Sequence, residues 1–203
     1  MQPLQAHGLV EAHLYLKVTP CPDCARGPLE VEPAAAPEDA PAQPPRVRIL
    51  HARCHHCGAR RELAFQLAAA ADDRQAWLEP INPTDQPSEI IDLGQWVSLY
   101  YLLLEETQRA GQSPEGSRLA FREAQCLDEA LKFYSSDDEL PPPTAFFTAS
   151  SRQAFAEHPE SFARQRLRDL RSRLPAPRAV PRRAGDDDSQ AGKRPWWRFW
   201  KRP

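Results

Sequence analysis

Four cysteines carry the chemistry available to this chain. They come as two C-x-x-C pairs, Cys21/Cys24 and Cys54/Cys57. Two such pairs put four thiolates within reach of one tetrahedral ion, which is what a structural Zn2+ site demands. A redox use would need each motif to open a helix after a strand in a βαβ setting, and the flanking sequence lacks that setting. His51, His55 and His56 could substitute as ligands. With all four cysteine positions filled, they read instead as exposed residues of the turns.

The elements that must position these thiols are short. Leu14-Tyr15-Leu16-Lys17-Val18 precedes the first pair, and Leu29-Glu30-Val31-Glu32 follows it. Arg46-Val47-Arg48-Ile49-Leu50 precedes the second pair, and Glu62-Leu63-Ala64-Phe65-Gln66-Leu67 follows it. All four alternate apolar and polar residues, the period of half-buried strands. They predict a pseudo-repeat of strand, knuckle, strand. Backbone N–H groups in each tight turn can bond the sulfurs and soften their charge. Gly58, just after Cys57, lets its turn close with φ > 0, and Gly27 is expected to help similarly at the first knuckle. The pairs stand 29 residues apart, 13 of them in the proline-rich run 33–45. That run reads as a disordered hairpin insertion, whose entropic cost grows only slowly with length.

On these cysteines and flanks the chain resembles a zinc ribbon over about residues 12–67. The resemblance implies Cys21, Cys24, Cys54 and Cys57 as ligands of one structural Zn2+, and no catalysis. Zinc ribbons serve transcription, translation and replication proteins and also act as protein-docking modules. A module this small buries little apolar area, so metal binding should supply much of its folding energy.

A helical region follows. Residues 68–89 read as a linker, interrupted by Pro80, Pro83 and Pro87, with Trp77 and Leu78 pinned to a neighbour. Asp92 is an expected N-cap for a largely buried helix closed by Gly111. Ser113-Pro114-Glu115 opens a second helix running to about Tyr134, and the short connection implies an antiparallel hairpin. Cys126 on that helix reads as a buried, inert thiol. Ala145-Phe146-Phe147 should dock onto the hairpin. A third helical stretch, 151–174, restarts at Pro159 and carries Arg164, Arg166, Arg168, Arg171 and Arg173.

The end of the chain is basic. Residues 152–203 hold 14 of the 26 Lys+Arg and 6 of the 28 Asp+Glu, a net of +8, which leaves 1–151 at −10. Residues 175–203 read as disordered, ending in a segment that contains Trp196, Trp197, Arg198, Phe199, Trp200 and Lys201. This composition resembles Trp/Arg-rich peptides of membrane interfaces and suits an anionic membrane surface or a protein partner. Stacking on single-stranded nucleic acid is the lesser reading.

The expected fold is therefore α+β: a small antiparallel β zinc ribbon (10–67, insertion 33–45), a linker (68–89), a helical domain (90–174) and a tail (175–203). No Gly-rich phosphate loop, nucleophile elbow or His/carboxylate helix motif is present, so the expectation is a non-enzymatic adaptor binding an unknown protein partner and no small-molecule substrate. The alternative is a nucleic-acid-binding ribbon using Arg53, Arg60 and Arg61, joined by the Arg-rich helix. Without an 18-residue apolar run or a signal-like start, the expected location is the cytoplasm, peripherally at the membrane if the tail attaches there. Arginine over lysine, with abundant Ala and Pro, suggests a bacterial coding bias.

Overall fold

The computed structural model describes residues 2–32, 46–68, 80–135 and 137–175. Within them the chain is α+β. Strand β1 (Leu4–Ala6), helix α1 (Leu9–Val18), and strands β2 (Leu29–Val31), β3 (Arg46–Cys54) and β4 (Arg60–Leu67) come first. Helices α2 (Leu93–Ala110), α3 (Pro114–Leu131), α4 (Ala149–Glu157) and α5 (Arg164–Ser172) follow, with 3-10 turns at Pro143–Ala145 and Pro159–Phe162.

The sheet has the order β1-β4-β3-β2. β3 and β4 form a long antiparallel ladder, with Leu50 opposite Leu63 and Arg48 opposite Phe65. β2 joins β3 antiparallel, but β1 joins β4 in parallel, so the sheet is mixed where a purely antiparallel ribbon was expected. Strand alternation sorts the faces. Leu50, Ala52 and Cys54 of β3 and Phe65 and Leu67 of β4 are buried, while Val47, Ile49, His51 and Arg53 stand exposed on the other face.

The largest departure from the expectation is Leu14–Val18. It is the last half of α1, not a strand, and the strand-knuckle-strand pseudo-repeat therefore fails before Cys21. Leu9, Val10, Ala12, Leu14 and Leu16 are all buried, because α1 lies between the inner face of the sheet and the helical part. Tyr15 meets Phe65 edge-on at 5.8 Å, and Gln95 Nε2 of α2 donates to the Val18 carbonyl at 3.5 Å. A helix buried on several sides needs no polar stripe, and its sequence loses the 3.6-residue signal.

Asp92 caps α2 with the expected reciprocal pair: its carboxylate accepts from the Gln95 amide at 2.9 Å, and Gln95 Oε1 accepts from the Asp92 amide at 2.9 Å. Ser113 caps α3, and the connection Gly111–Ser113 closes the hairpin. Ala145 and Phe146 are buried, with Phe146 stacked on Phe155 at 4.5 Å, while Phe147 is exposed. Cys126 is fully buried, and burial pushes its thiol up. Ile81, Asn82, Ser88, Ile90 and Ile91 are also buried, and a single apolar core runs from the sheet through α1 into α2 and α3. Among the described residues, no helix is long and apolar enough to cross a membrane. Trp77, Leu78, the run 33–45 and the residues 193–203 lie outside the described residues.

Candidate metal centre

The turn at Cys21–Cys24 joins α1 to β2, and the turn at Cys54–Cys57 joins β3 to β4. The fold brings both to one end of the sheet. Cys21 Sγ lies 3.7 Å from Cys57 Sγ, and Cys24 Sγ lies 3.7 Å from Cys54 Sγ. All four sulfurs fall within 4.8 Å of one another. A tetrahedron with metal–sulfur bonds of about 2.3 Å has sulfur–sulfur edges of about 3.8 Å. The two close contacts match that edge, each pairing one sulfur from each turn.

The two turns are built alike although their flanks differ. In the first, the Ala25 amide donates to the Cys21 carbonyl at 2.8 Å, and the Cys21 amide donates to the Arg26 carbonyl. In the second, the Gly58 amide donates to the Cys54 carbonyl at 2.9 Å, and the Cys54 amide donates to the Ala59 carbonyl at 2.8 Å. Each turn thus closes on itself around the first cysteine of its pair. The residue after the second cysteine is left-handed in both: Ala25 at φ 55° and Gly58 at φ 75°. The expected role of Gly27 falls to Ala25, two positions earlier.

Backbone amides approach the sulfurs. The Arg26 amide bonds Cys24, the Ala59 amide bonds Cys57, and the amides of Cys57 and His56 bond Cys54. The Cys57 and His56 amides hold the Cys54 thiol down to about 7. At Cys24 the Arg26 amide works in the same direction, but burial and the three neighbouring thiols outweigh it and push the thiol up to about 12. Four thiols this close share protons, and a cation that replaces those protons removes the conflict.

The cluster grades outward. Cys21 and Cys54 are buried, Cys24 is partly covered and Cys57 is exposed. His51, His55 and His56 are exposed, as read from the sequence. His55 Nδ1 sits 3.2 Å from Glu30, and His56 Nε2 lies 3.2 Å from Arg26 Nη1. The His55 amide donates to the Pro28 carbonyl at 3.0 Å, tying the second turn to the loop after the first.

The arginines of the nucleic-acid alternative do not form one surface. Arg53 and Arg60 are cross-strand partners on the outer face, whereas Arg61 lies opposite Ala52 on the inner face. Arg60 is paired with Glu32 at 3.1 Å, and Arg61 with Asp23 of the first turn. Two of the three cations thus pair within the sheet and its cysteine turns. Trp196, Trp197, Arg198, Phe199, Trp200 and Lys201 fall outside the described residues.

A second polar cluster went unnoticed in the sequence. Glu11 of α1 is fully buried and accepts from His7 Nδ1 at 3.1 Å. Nearby on α3, buried Glu129 accepts from Lys132 Nζ at 2.8 Å and from Asn82 Nδ2 at 3.3 Å. The Glu11 hydrogen bond raises His7, and burial raises Glu129 to about 7. Isolated charged residues at positions 7, 11, 129 and 132 carry no spacing signal, so only the fold reveals them.

Compared with protein-family models, with curated proteins and with solved structures, the chain matches none of them.

Proposed function

We propose that Cys21, Cys24, Cys54 and Cys57 hold one structural Zn2+ in a zinc-ribbon-like site, and that the chain is a non-enzymatic adaptor making protein–protein contacts. One observation carries the metal reading: the sulfurs of two separate turns approach at 3.7 Å, the edge of a zinc tetrathiolate. The donor set fits the group. Four soft thiolates fill a tetrahedral shell and leave no position for water or substrate, which suits a structural ion and not a catalytic one. When bound, the ion neutralises thiolate charge and cross-links α1–β2 to β3–β4. The chain's own residues orient it, through the matched carbonyl and amide bonds of the two turns.

The adaptor reading has further support in a structured body with an exposed sheet face. In this reading the Trp-rich basic end, 193–203, supplies attachment to an anionic membrane surface or to a protein. The ion pairs of Arg60 and Arg61 weigh against the nucleic-acid alternative, because those cations are already engaged. Full-length chain mixed with anionic vesicles and, separately, with single-stranded oligonucleotide tests this. Vesicle binding lost on deleting 193–203, with no salt-steep oligonucleotide binding, supports the adaptor. Oligonucleotide binding that falls steeply with salt and drops on Arg53→Ala would replace it with the alternative.

A further inference from the structure

Four ionisable side chains from two distant parts of the chain meet near the start of α1. Glu11 is fully buried. Its Oε2 accepts from the main-chain amide of His7 and from His7 Nδ1, the latter at 3.1 Å. Its Oε1 has no hydrogen-bond partner among the described residues. On α3, buried Glu129 accepts from Lys132 Nζ at 2.8 Å and from Asn82 Nδ2 at 3.3 Å, and Lys132 Nζ also donates to the Asn82 carbonyl at 3.0 Å. The His7 and Lys132 side chains are only 16% and 17% exposed. The two pairs feel each other. The Glu11 hydrogen bond raises His7 and the Glu129 charge adds to it, while burial raises Glu129 to about 7 and the Glu11 charge adds to that.

Charge counting shows what this cluster needs. Two carboxylates face one Lys132 ammonium, which leaves one negative charge with little water around it. An unbalanced buried charge is costly, and one proton removes the imbalance. The proton has two places, His7 beside Glu11 and Glu129 beside Lys132. Of the remaining groups that face them, Asn82 is neutral, and Cys126, one turn earlier on α3, is a thiol that burial keeps protonated. Both His7 and Glu129 hold a proton more firmly in the fold than in the unfolded chain. The stability they give is therefore present at low pH and is lost as pH rises, above 6.5 for His7 and through about 7 for Glu129. The segment that His7 ends is otherwise lightly held. β1 has three residues on one edge of β4, and of these only Ala6 is buried. A segment with few buried contacts opens at low free energy. We propose that a single buried proton on the cluster of His7, Glu11, Glu129 and Lys132 is a pH-sensitive latch, which fastens β1 and residues 7–8 to α3 and releases them from the body when it leaves. The latch uses none of the cysteines, so it stands apart from the metal reading.

The test is hydrogen exchange, followed by mass spectrometry, on full-length, metal-loaded chain between about pH 6 and about pH 8.5. Rates are corrected for intrinsic exchange, metal content is measured at each pH, and a peptide from α2 reports opening of the whole body. The expected result is that protection of residues 2–8 falls at least about tenfold relative to α2 over this range. The double variant His7→Gln/Glu129→Gln carries no titrating partner for Glu11, and its ratio should not change with pH. Glu11→Gln removes the charge left unbalanced and should be nearly flat as well. Parent protection that stays flat, or that falls equally in α2, overturns the latch. A fall that persists undiminished in the double variant assigns the pH dependence to another group and also overturns it. Should a variant fail to fold, the parent comparison alone decides.

Discussion

Ala25 and Gly58 occupy the same position in the two cysteine turns, and both are left-handed, at φ 55° and 75°. Each donates its amide to the carbonyl of the first cysteine of its pair, four residues back. Glycine takes this conformation freely, whereas an L side chain there costs about 1–2 kcal/mol. Ala25→Gly should therefore stabilise the chain by about 0.5–1 kcal/mol, once the extra freedom of glycine in the unfolded chain is set against the relief. Gly58→Ala should destabilise it by a similar amount. Urea unfolding of the metal-loaded chain measures both, and a destabilised Ala25→Gly would refute the equivalence of the turns.

Asp92 holds two helix starts at once. One oxygen accepts from the Gln95 amide of α2 and from Ser151 Oγ of α4, at 2.9 and 2.7 Å. The other accepts from the amide and hydroxyl of Thr148, the N-cap of α4, at 2.9 and 2.7 Å. Asp92→Ala leaves those donors without a partner in a buried place, and the expected loss is about 2–4 kcal/mol. Asp92→Asn, with one acceptor oxygen left, should lose less. Thermal unfolding decides it, and a loss below about 1 kcal/mol for the alanine variant would contradict the double cap.

Gly94 sits where α2 meets α4. A Cβ there would lie 2.5 Å from Ser151 Oγ and 2.7 Å from Ser151 Cβ. Gly94 has an ordinary helical position, so the cost of Gly94→Ala arises from crowding and not from backbone conformation. The helices must part, at about 1–3 kcal/mol, even though alanine is the better helix former. Ser151→Gly should recover part of the loss in the double variant, and additive losses would show that the two positions do not touch.

Glu129 gives a pH signature. Burial raises its carboxyl from the ordinary 4.5 to about 7, against the pull of Lys132. Between these values the folded chain keeps a proton that the unfolded chain has released, so this group's contribution to stability falls as pH rises from 4.5 to 7. Glu129→Gln cannot titrate. The parent should lose stability relative to this variant over that window, by up to about 3 kcal/mol. The difference between the two chains cancels the pH dependence of the cysteine cluster. A flat difference would show that Glu129 is ionised throughout.

The pairing of the four cysteines, the caps at Asp92 and Ser113 and the stop at Gly111 were legible because each is a local rule written in one or a few residues. α1 was not. Leu14-Tyr15-Leu16-Lys17-Val18 alternates over five residues, which is too short to separate a strand from a helix that is buried on several sides by the sheet and α2. β1 is three residues long and gains its strand geometry only from pairing with β4, a tertiary cause that no local pattern announces. Ala25 escaped notice for a different reason. The turn geometry imposes a left-handed residue there, and alanine does not advertise it as glycine does at position 58.

The tetrathiolate site is tested most directly by measuring metal in the purified full-length chain together with the absorption spectrum after Co2+ substitution. The account predicts one zinc per chain, a thiolate-to-cobalt charge-transfer band with tetrahedral d–d intensity, and loss of stoichiometric metal on replacing any one of Cys21, Cys24, Cys54 or Cys57 by serine. Chain that carries no stoichiometric metal, or a cobalt spectrum without tetrahedral thiolate character, would contradict it.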